Sequence, residues 1–333
     1  MKLQSVILLL VTTIGLTAAD LDWQAQFQAR INYTNTESQV GSTLLRSRLA
    51  FQVREGNLSG MVQLQDSRIL GADRSNSGEL RPDSTWLGLH QVYLSIDQLY
   101  APGWEFQLGR FELNLGNQRL FSPNKWNNYG RSFDGLRLRR SGNRPVTGEI
   151  FYLKVFESLE TTGDTDINGI YLYPVAQNQI PLGLNSLEIY GFQELNTDTT
   201  ARRINRTTFG SRIELSFMFL KLEAEAGRQT GSSAGDNDIA AWFMVTNLTI
   251  KTGLVPFLKK ITIGQEHFSG DDTSSNTVEG FANPYGAGHR FHGYFDEHKF
   301  FKDNFHRGLR EWNVKINLEF RPGSLTRINY HNF

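Results

Sequence analysis

The chain contains no cysteine, which excludes a disulfide framework and a lipid-bearing cysteine at a lipoprotein cleavage site. Proline is scarce, 9 in 333 residues, so few positions are barred from donating to a sheet ladder. Charge of one sign is missing too: 34 basic residues balance 34 acidic ones, which leaves no bulk attraction for nucleic acid, and no nucleic-acid partner is expected. Beyond the first nineteen residues no apolar run is long enough to cross a bilayer as a helix. What remains is either a soluble protein or a closed barrel of strands.

The first nineteen residues have another character. Lys2 gives a positive start, Val6 to Leu16 is apolar, and Thr17-Ala18-Ala19 offers small residues before Asp20. This is the pattern of a cleaved secretory signal, and the apolar stretch is too short for a membrane anchor. Residues 1–19 are read as the signal and 20–333 as the mature domain.

The dominant period of that domain is two. Trp23, Ala25, Phe27, Ala29, Ile31 and Tyr33 alternate with Gln24, Gln26, Gln28, Arg30 and Asn32. Leu45, Leu49, Phe51 and Val53 alternate with Arg46, Arg48, Gln52 and Arg54. Near the end, Trp312, Val314, Ile316, Leu318 and Phe320 alternate with Glu311, Asn313, Lys315, Asn317 and Glu319. Segments of about ten residues with one greasy and one polar face suit tilted strands that cross a membrane. A lectin-like sandwich with one solvated face would share that alternation. Connection lengths separate the two. Short corners such as Glu55-Gly56-Asn57, Ala101-Pro102-Gly103 and Pro322-Gly323-Ser324 alternate with long polar stretches, the longest from Ser269 to Gly308. Sorting by parity is expected of periplasmic turns and extracellular loops, and a sandwich has no reason for it.

The fold class expected is therefore all-β: a transmembrane, antiparallel, up-and-down barrel in the outer membrane. Its aromatic residues at strand ends, Trp23, Tyr33, Trp104 and Trp312, would lie at headgroup level. Its partners would be the lipid bilayer and the barrel-assembly machinery. About fifteen strands are counted, where single-chain bacterial barrels have even numbers, so one or more further strands are expected, about 16–18 in all. Phe333 shares parity with Arg327, Asn329 and His331 rather than with Ile328 and Tyr330, so it does not read as a lipid-facing closing aromatic.

One block is more specific. Gly109-Arg110-Phe111-Glu112-Leu113-Asn114-Leu115-Gly116-Asn117-Gln118-Arg119-Leu120 is followed by Trp126-Asn127-Asn128 and by Arg131-Ser132-Phe133-Asp134-Gly135-Leu136-Arg137. It resembles the signature of the alginate export family of outer-membrane porins. Val62 to Arg68, Leu89 to Leu94, Ser269-Gly270-Asp271-Asp272 and Gly288 to Asp296 are similar to other parts of that family. The resemblance implies a barrel of eighteen strands that conducts an anionic polysaccharide or a small polar solute by passive diffusion.

Three chemistries are then open. In a selective channel, Arg30, Arg46, Arg48 and Arg54 on the polar parity would face the lumen together with Arg137 and Arg139, a ladder of permanent charge that favours anions. The alternative is that they brace the barrel against lumenal acids such as Glu223, Glu225 and Glu319. In the long stretch after the family block, Arg119 or Arg131 could pair with Asp134 as a latch for a loop that folds into the pore or caps it. A second chemistry is a barrel-embedded lipase or esterase, and Gly231-Ser232-Ser233-Ala234-Gly235 matches the pattern of a nucleophile elbow. That pattern has meaning only between a strand and a helix; here it sits in a Gly/Ser-rich loop, so no enzyme is expected. A purely structural or binding role in the outer membrane is the other alternative. The third is ion binding: Asp271 and Asp272 offer hard oxygens that would suit Ca²⁺, and Asp296, Glu297 and His298 near His289 and His292 would suit a softer metal.

Overall fold

The computed structural model describes residues 20–34, 40–70, 85–142, 146–156, 164–173, 183–196, 203–234, 237–253, 255–272, 274–293 and 308–333. The signal segment 1–19 therefore lies outside the described residues. Fifteen strands form one sheet in strict sequence order, each antiparallel to its neighbours. They are β1 (Asp20–Thr34), β2 (Val40–Glu55), β3 (Leu58–Leu70), β4 (Thr85–Asp97) and β5 (Trp104–Phe111). Then come β6 (Phe133–Arg140), β7 (Thr147–Phe156), β8 (Thr165–Tyr173), β9 (Leu184–Asn196) and β10 (Ile204–Phe217). The last five are β11 (Leu220–Ser232), β12 (Asp238–Lys251), β13 (Leu258–Phe268), β14 (Leu309–Arg321) and β15 (Ser324–Asn332). Among the described residues one short helix, α1 (Gly288–His292), interrupts the connection between β13 and β14. Among the described residues no pairing joins β1 to β15.

Up-and-down order follows from the connections. At one end of the sheet Gly56 and Gly323 occupy left-handed φ of 56° and 82°, which lets β2–β3 and β14–β15 turn within two residues. At the other end the β3–β4, β5–β6 and β13–β14 connections run to 14, 21 and 40 residues, while the β8–β9 connection, ten residues at the short end, departs from the parity read from the sequence. From β2 to β14 each strand is then paired laterally on both sides, the condition for crossing hydrocarbon.

The outer face is built by the apolar parity. Trp23, Phe27, Ile31, Leu108, Ile150, Trp312 and Ile328 are exposed on it, and contact with lipid in place of a protein core explains so many exposed apolar side chains. On the inner face of β2 and β3, Arg46, Arg48, Gln65 and Ser67 are buried. Phe333 follows the inward parity read from the sequence: its ring stacks on His331 at 6.0 Å, and Asn313 is the register partner of His331.

The sequence rule that apolar positions face lipid fails on one side of the barrel. Phe151 and Leu153 of β7, Ile167 of β8 and Tyr190 and Phe192 of β9 are buried on the inner face, while Ile150 and Ile189 between them are exposed on the outer one. Both faces of these strands are apolar because something apolar lies inside the barrel.

Candidate functional site

That contents is the connection between β5 and β6. Leu113, Leu115, Leu120 and Phe121 would stand in water if residues 112–132 projected from the rim. Instead they are buried with Phe133, Phe151, Leu153, Ile167 and Phe192 in one cluster. Phe121 meets Phe192 edge-on at 4.9 Å and Phe151 at 5.6 Å, and it stacks on Tyr285 of the β13–β14 connection at 5.6 Å. Burying four large apolar side chains is worth on the order of 1.5–3 kcal/mol each, enough to hold the segment inside. Gly116 permits the path: its φ is +52°, and a Cβ there would lie 2.1 Å from the Tyr171 hydroxyl.

Polar contacts fix the segment to opposite walls. On the side of β1 to β4, Arg30 donates to the Trp126 carbonyl at 2.7 Å and its guanidinium lies 4.6 Å from the Trp126 ring centre. Arg46 donates to the Asn127 carbonyl at 2.9 Å and also to Gln28. Gln65 donates to the Tyr129 carbonyl and Ser67 to the Asn128 carbonyl, both at 2.9 Å. Arg48 reaches Glu112 at 2.9 Å, and His90 shares the same carboxylate at 2.8 Å.

On the far wall, Arg119 is fully buried between Glu225 of β11, at 3.1 Å, and Glu266 of β13, at 2.8 Å. Asn117 donates to Glu223 and Glu225, both at 3.0 Å, and the Arg119 guanidinium sits 3.9 Å above the Phe291 ring. Arg131 donates to the carbonyls of Tyr285 and, at 2.9 Å, Pro284; burial lowers its pKa to about 10, which leaves it charged at neutral pH. The Tyr285 hydroxyl donates to Glu194 of β9 at 3.0 Å, and burial, reinforced by that carboxylate, raises its pKa. The loop is a strap across the lumen, held at both ends.

The residues singled out from sequence separate on this geometry. Arg30, Arg46, Arg48, Arg119 and Arg131 converge on the strap. Arg137 and Arg139 lie on the inner parity of β6 and pair with Glu149, at 3.3 Å, and with Glu105. Arg54 keeps the inner parity but sits exposed at the turn end of β2, opposite Ser59 in the register. Asp134 is a correction. It is the register partner of Arg110 and pairs with it at 2.5 Å, on the parity of Leu108 and Leu136, which face outward. A latch from Arg119 or Arg131 to Asp134 is therefore absent, because one residue of parity moves a side chain to the opposite face. Asp271 and Asp272 each serve their own loop: Asp271 accepts from the Glu279 amide at 2.7 Å and Asp272 from the Ser274 amide at 3.0 Å. Those bonds to Ser274 hold the Asp272 carboxyl below its ordinary range. Asp296, Glu297 and His298 lie outside the described residues.

Sequence reasoning missed Glu112, Gln65 and Glu266, whose partners come from elements up to 147 residues away. A signal for Glu112 existed in its place directly after β5, inside the family block.

Glu112 supplies a pH test. Burial works to raise its pKa, but the hydrogen bond from His90 and the charge of Arg48 outweigh it and hold the carboxyl below 4.5, its ordinary value. A depressed carboxylate contributes stability above its unfolded pKa and loses it as pH falls through the folded one. Acidification below about pH 4.5 is thus expected to release this end of the strap, read as a change in Trp126 fluorescence that Glu112→Gln abolishes. An identical acid transition in the variant would place the titrating group elsewhere.

A family model described as alginate export matches residues 13–314. The chain belongs to the alginate export family. This member also shares its fold with solved outer-membrane porins at low identity. OpdK of Pseudomonas aeruginosa, solved with vanillate, superposes with a TM-score of 0.59 at 12% identity, over 94% of this chain and 81% of that one. OccAB4 of Acinetobacter baumannii gives 0.56 at 13% identity, over 94% and 81%. OpdL of Pseudomonas aeruginosa gives 0.55 at 16%, over 94% and 80%. No curated protein sequence matches the chain. This alginate export family member is an outer-membrane β-barrel and a porin-like channel for polar solutes.

Proposed function

We propose that the channel passes anionic, carboxylate-bearing solutes, saccharides among them, by passive diffusion past the strap formed by residues 112–132. One observation carries the sign of the selectivity. Most lumenal guanidiniums are neutralised by acids: Arg48 by Glu112, Arg119 by Glu225 and Glu266, Arg137 by Glu149, Arg206 by Glu194 and Arg212 by Glu188, Glu214 and Glu223. Arg30, Arg46 and Arg131 instead spend their donors on carbonyl and amide oxygens. A carbonyl satisfies a hydrogen bond without cancelling a charge, so these three cations keep their field where the strap narrows the pore. Guanidinium matches carboxylate geometrically and stays charged at any working pH.

Both sequence alternatives hold at once on this reading: the paired arginines brace, and the three others select. The name of the family supports an anionic saccharide as the solute class. The gradient sets the direction of flow. No hydrolase is proposed, since the Ser233 hydroxyl donates to the Asn237 carbonyl at 3.4 Å in an exposed loop after β11. The chain is proposed to be exported with removal of residues 1–19 and inserted by the barrel-assembly machinery; the mass of the mature protein tests the first step.

The decisive experiment is the reversal potential of single channels in a planar bilayer under a salt gradient. Anion selectivity, with concentration-dependent block by an oligouronate, is expected. Cation selectivity overturns the proposal.

A further inference from the structure

Behind Arg119 the lumen wall carries a second cluster. Glu266 of β13, His292 of α1 and Glu311 of β14 are all buried, and each offers one ligand atom within 4.8 Å of the others. His292 Nδ1 lies 2.6 Å from Glu311 Oε2 and 3.8 Å from Glu266 Oε2. The other Glu311 oxygen is taken by His331 Nδ1 at 2.6 Å and by the Asn313 amide at 3.1 Å. Glu311 is thus oriented from two sides, from β14 itself and from β15.

Two features go beyond a solvated group of acids. Glu266 is 1% exposed, its Oε2 receives Arg119, and its Oε1 is buried with no hydrogen-bond partner among the described residues. An unpaired carboxylate oxygen in such a place is costly unless something fills it. Carboxylates also crowd this wall: Arg119 answers both Glu225 and Glu266, while Glu311 meets the imidazoles of His292 and His331 and the Asn313 amide. A divalent cation would add positive charge to that set.

We propose that Glu266, His292 and Glu311 form a binding site for a divalent transition metal of the Zn²⁺ class, supported by His331, that staples the β13–β14 connection to the barrel wall. One imidazole nitrogen and two carboxylate oxygens suit Zn²⁺, whose catalytic and labile sites use three protein ligands and leave a fourth position open. To admit an ion at ~2.0–2.1 Å bonds, His292 Nδ1 and Glu311 Oε2 must part from their 2.6 Å contact while His292 and Glu266, 3.8 Å apart, draw closer, a movement open to His292 on its short helix. Neutral His292 presents Nδ1 as a lone pair after its proton moves to Nε2, so the hydrogen bond to Glu311 is exchanged for a shared ion. His331 holds Glu311 in place without touching the metal and is a positioning residue. Because Phe291, next to His292, lies against Arg119, the metal would fix the strap and the late connection relative to each other.

The test is isothermal titration of ZnCl₂ into the full chain refolded in detergent and stripped with EDTA. One ion per chain is expected, with affinity weakened at least about 100-fold by His292→Ala and about 10–100-fold by His331→Ala, the range of a supporting hydrogen bond. Asp271→Asn with Asp272→Asn is expected to bind as the unmodified chain does. His292 lies on the late connection, outside the strand ladder, so its variant keeps the test open if Glu311→Gln fails to fold. Sub-stoichiometric binding, or an affinity unmoved by His292→Ala, overturns the proposal. Binding is read directly, so that failure leaves the channel's conductance and selectivity as a separate question.

Discussion

Arg119→Met is expected to destabilise the folded channel by about 3–5 kcal/mol, the cost of removing one partner from a buried ion pair, and to raise single-channel conductance several-fold. The arginine is fully buried and answers two carboxylates from different strands. Methionine keeps much of the volume but removes the guanidinium from above the Phe291 ring, so the loss is largely electrostatic. Glu225 and Glu266 would then face each other in a poorly solvated pocket. The far end of the strap would lose its anchor while the apolar cluster around Phe121 remains. Adding Glu266→Gln to Arg119→Met is expected to restore part of the stability, since it removes one of the two abandoned charges. Urea unfolding of both variants in lipid measures this; equal stability of Arg119→Met and the unmodified protein would show that the pair contributes nothing net.

The second large effect concerns selectivity. Changing Arg30, Arg46 and Arg131 together to Gln is expected to bring the anion-to-cation permeability ratio close to one. Gln retains an amide that can donate to the carbonyls of Trp126, Asn127 and Pro284, so the strap keeps its path while the charge goes. A unit charge about 4 Å from a permeating ion is worth on the order of 1 kcal/mol in water and more where the dielectric is lower. Three such charges account for a change of tenfold or more. The matching change to Lys is expected to preserve the selectivity, whereas replacing Arg137 and Arg139, each already paired with an acid, is expected to leave it nearly untouched. Reversal potentials of the three variants decide between a field set by the unpaired cations and one spread over the whole wall.

Period-two patterning and loop parity gave the count of about fifteen strands and the places of β1, β2 and β14, because lipid imposes its demand on every second side chain of each span. The inward arginines of β2 and the inward parity of Phe333 were legible for the same reason. Asp134 was misread because it was grouped by nearness in sequence to Arg131, when the parity of Leu136 already placed it outside. The apolar inner face of β7 to β9 could not be read at all. Phe151 and Leu153 look like a lipid-facing pair shifted by one, and only the presence of Phe121 inside the barrel explains them. Contacts such as Arg119 with Glu266 join elements that strand periodicity cannot relate to each other. Long-range closure of the strap is a property of the lumen's shape, and no local pattern encodes it.

Residues 112–132 lie inside the barrel and bridge its walls, and the cysteine-free sequence offers a clean background for testing this placement. Ser67 Oγ donates to the Asn128 carbonyl at 2.9 Å and the Asn128 side-chain amide to the Arg68 carbonyl at 3.2 Å, which brings positions 67 and 128 within the reach of a short thiol-reactive bifunctional cross-linker. Ser67→Cys with Asn128→Cys is expected to cross-link in intact cells in high yield, while the channel continues to conduct. Absence of the cross-link, with the cysteine at 128 freely labelled from outside by a reagent too large to enter the pore, would contradict the account.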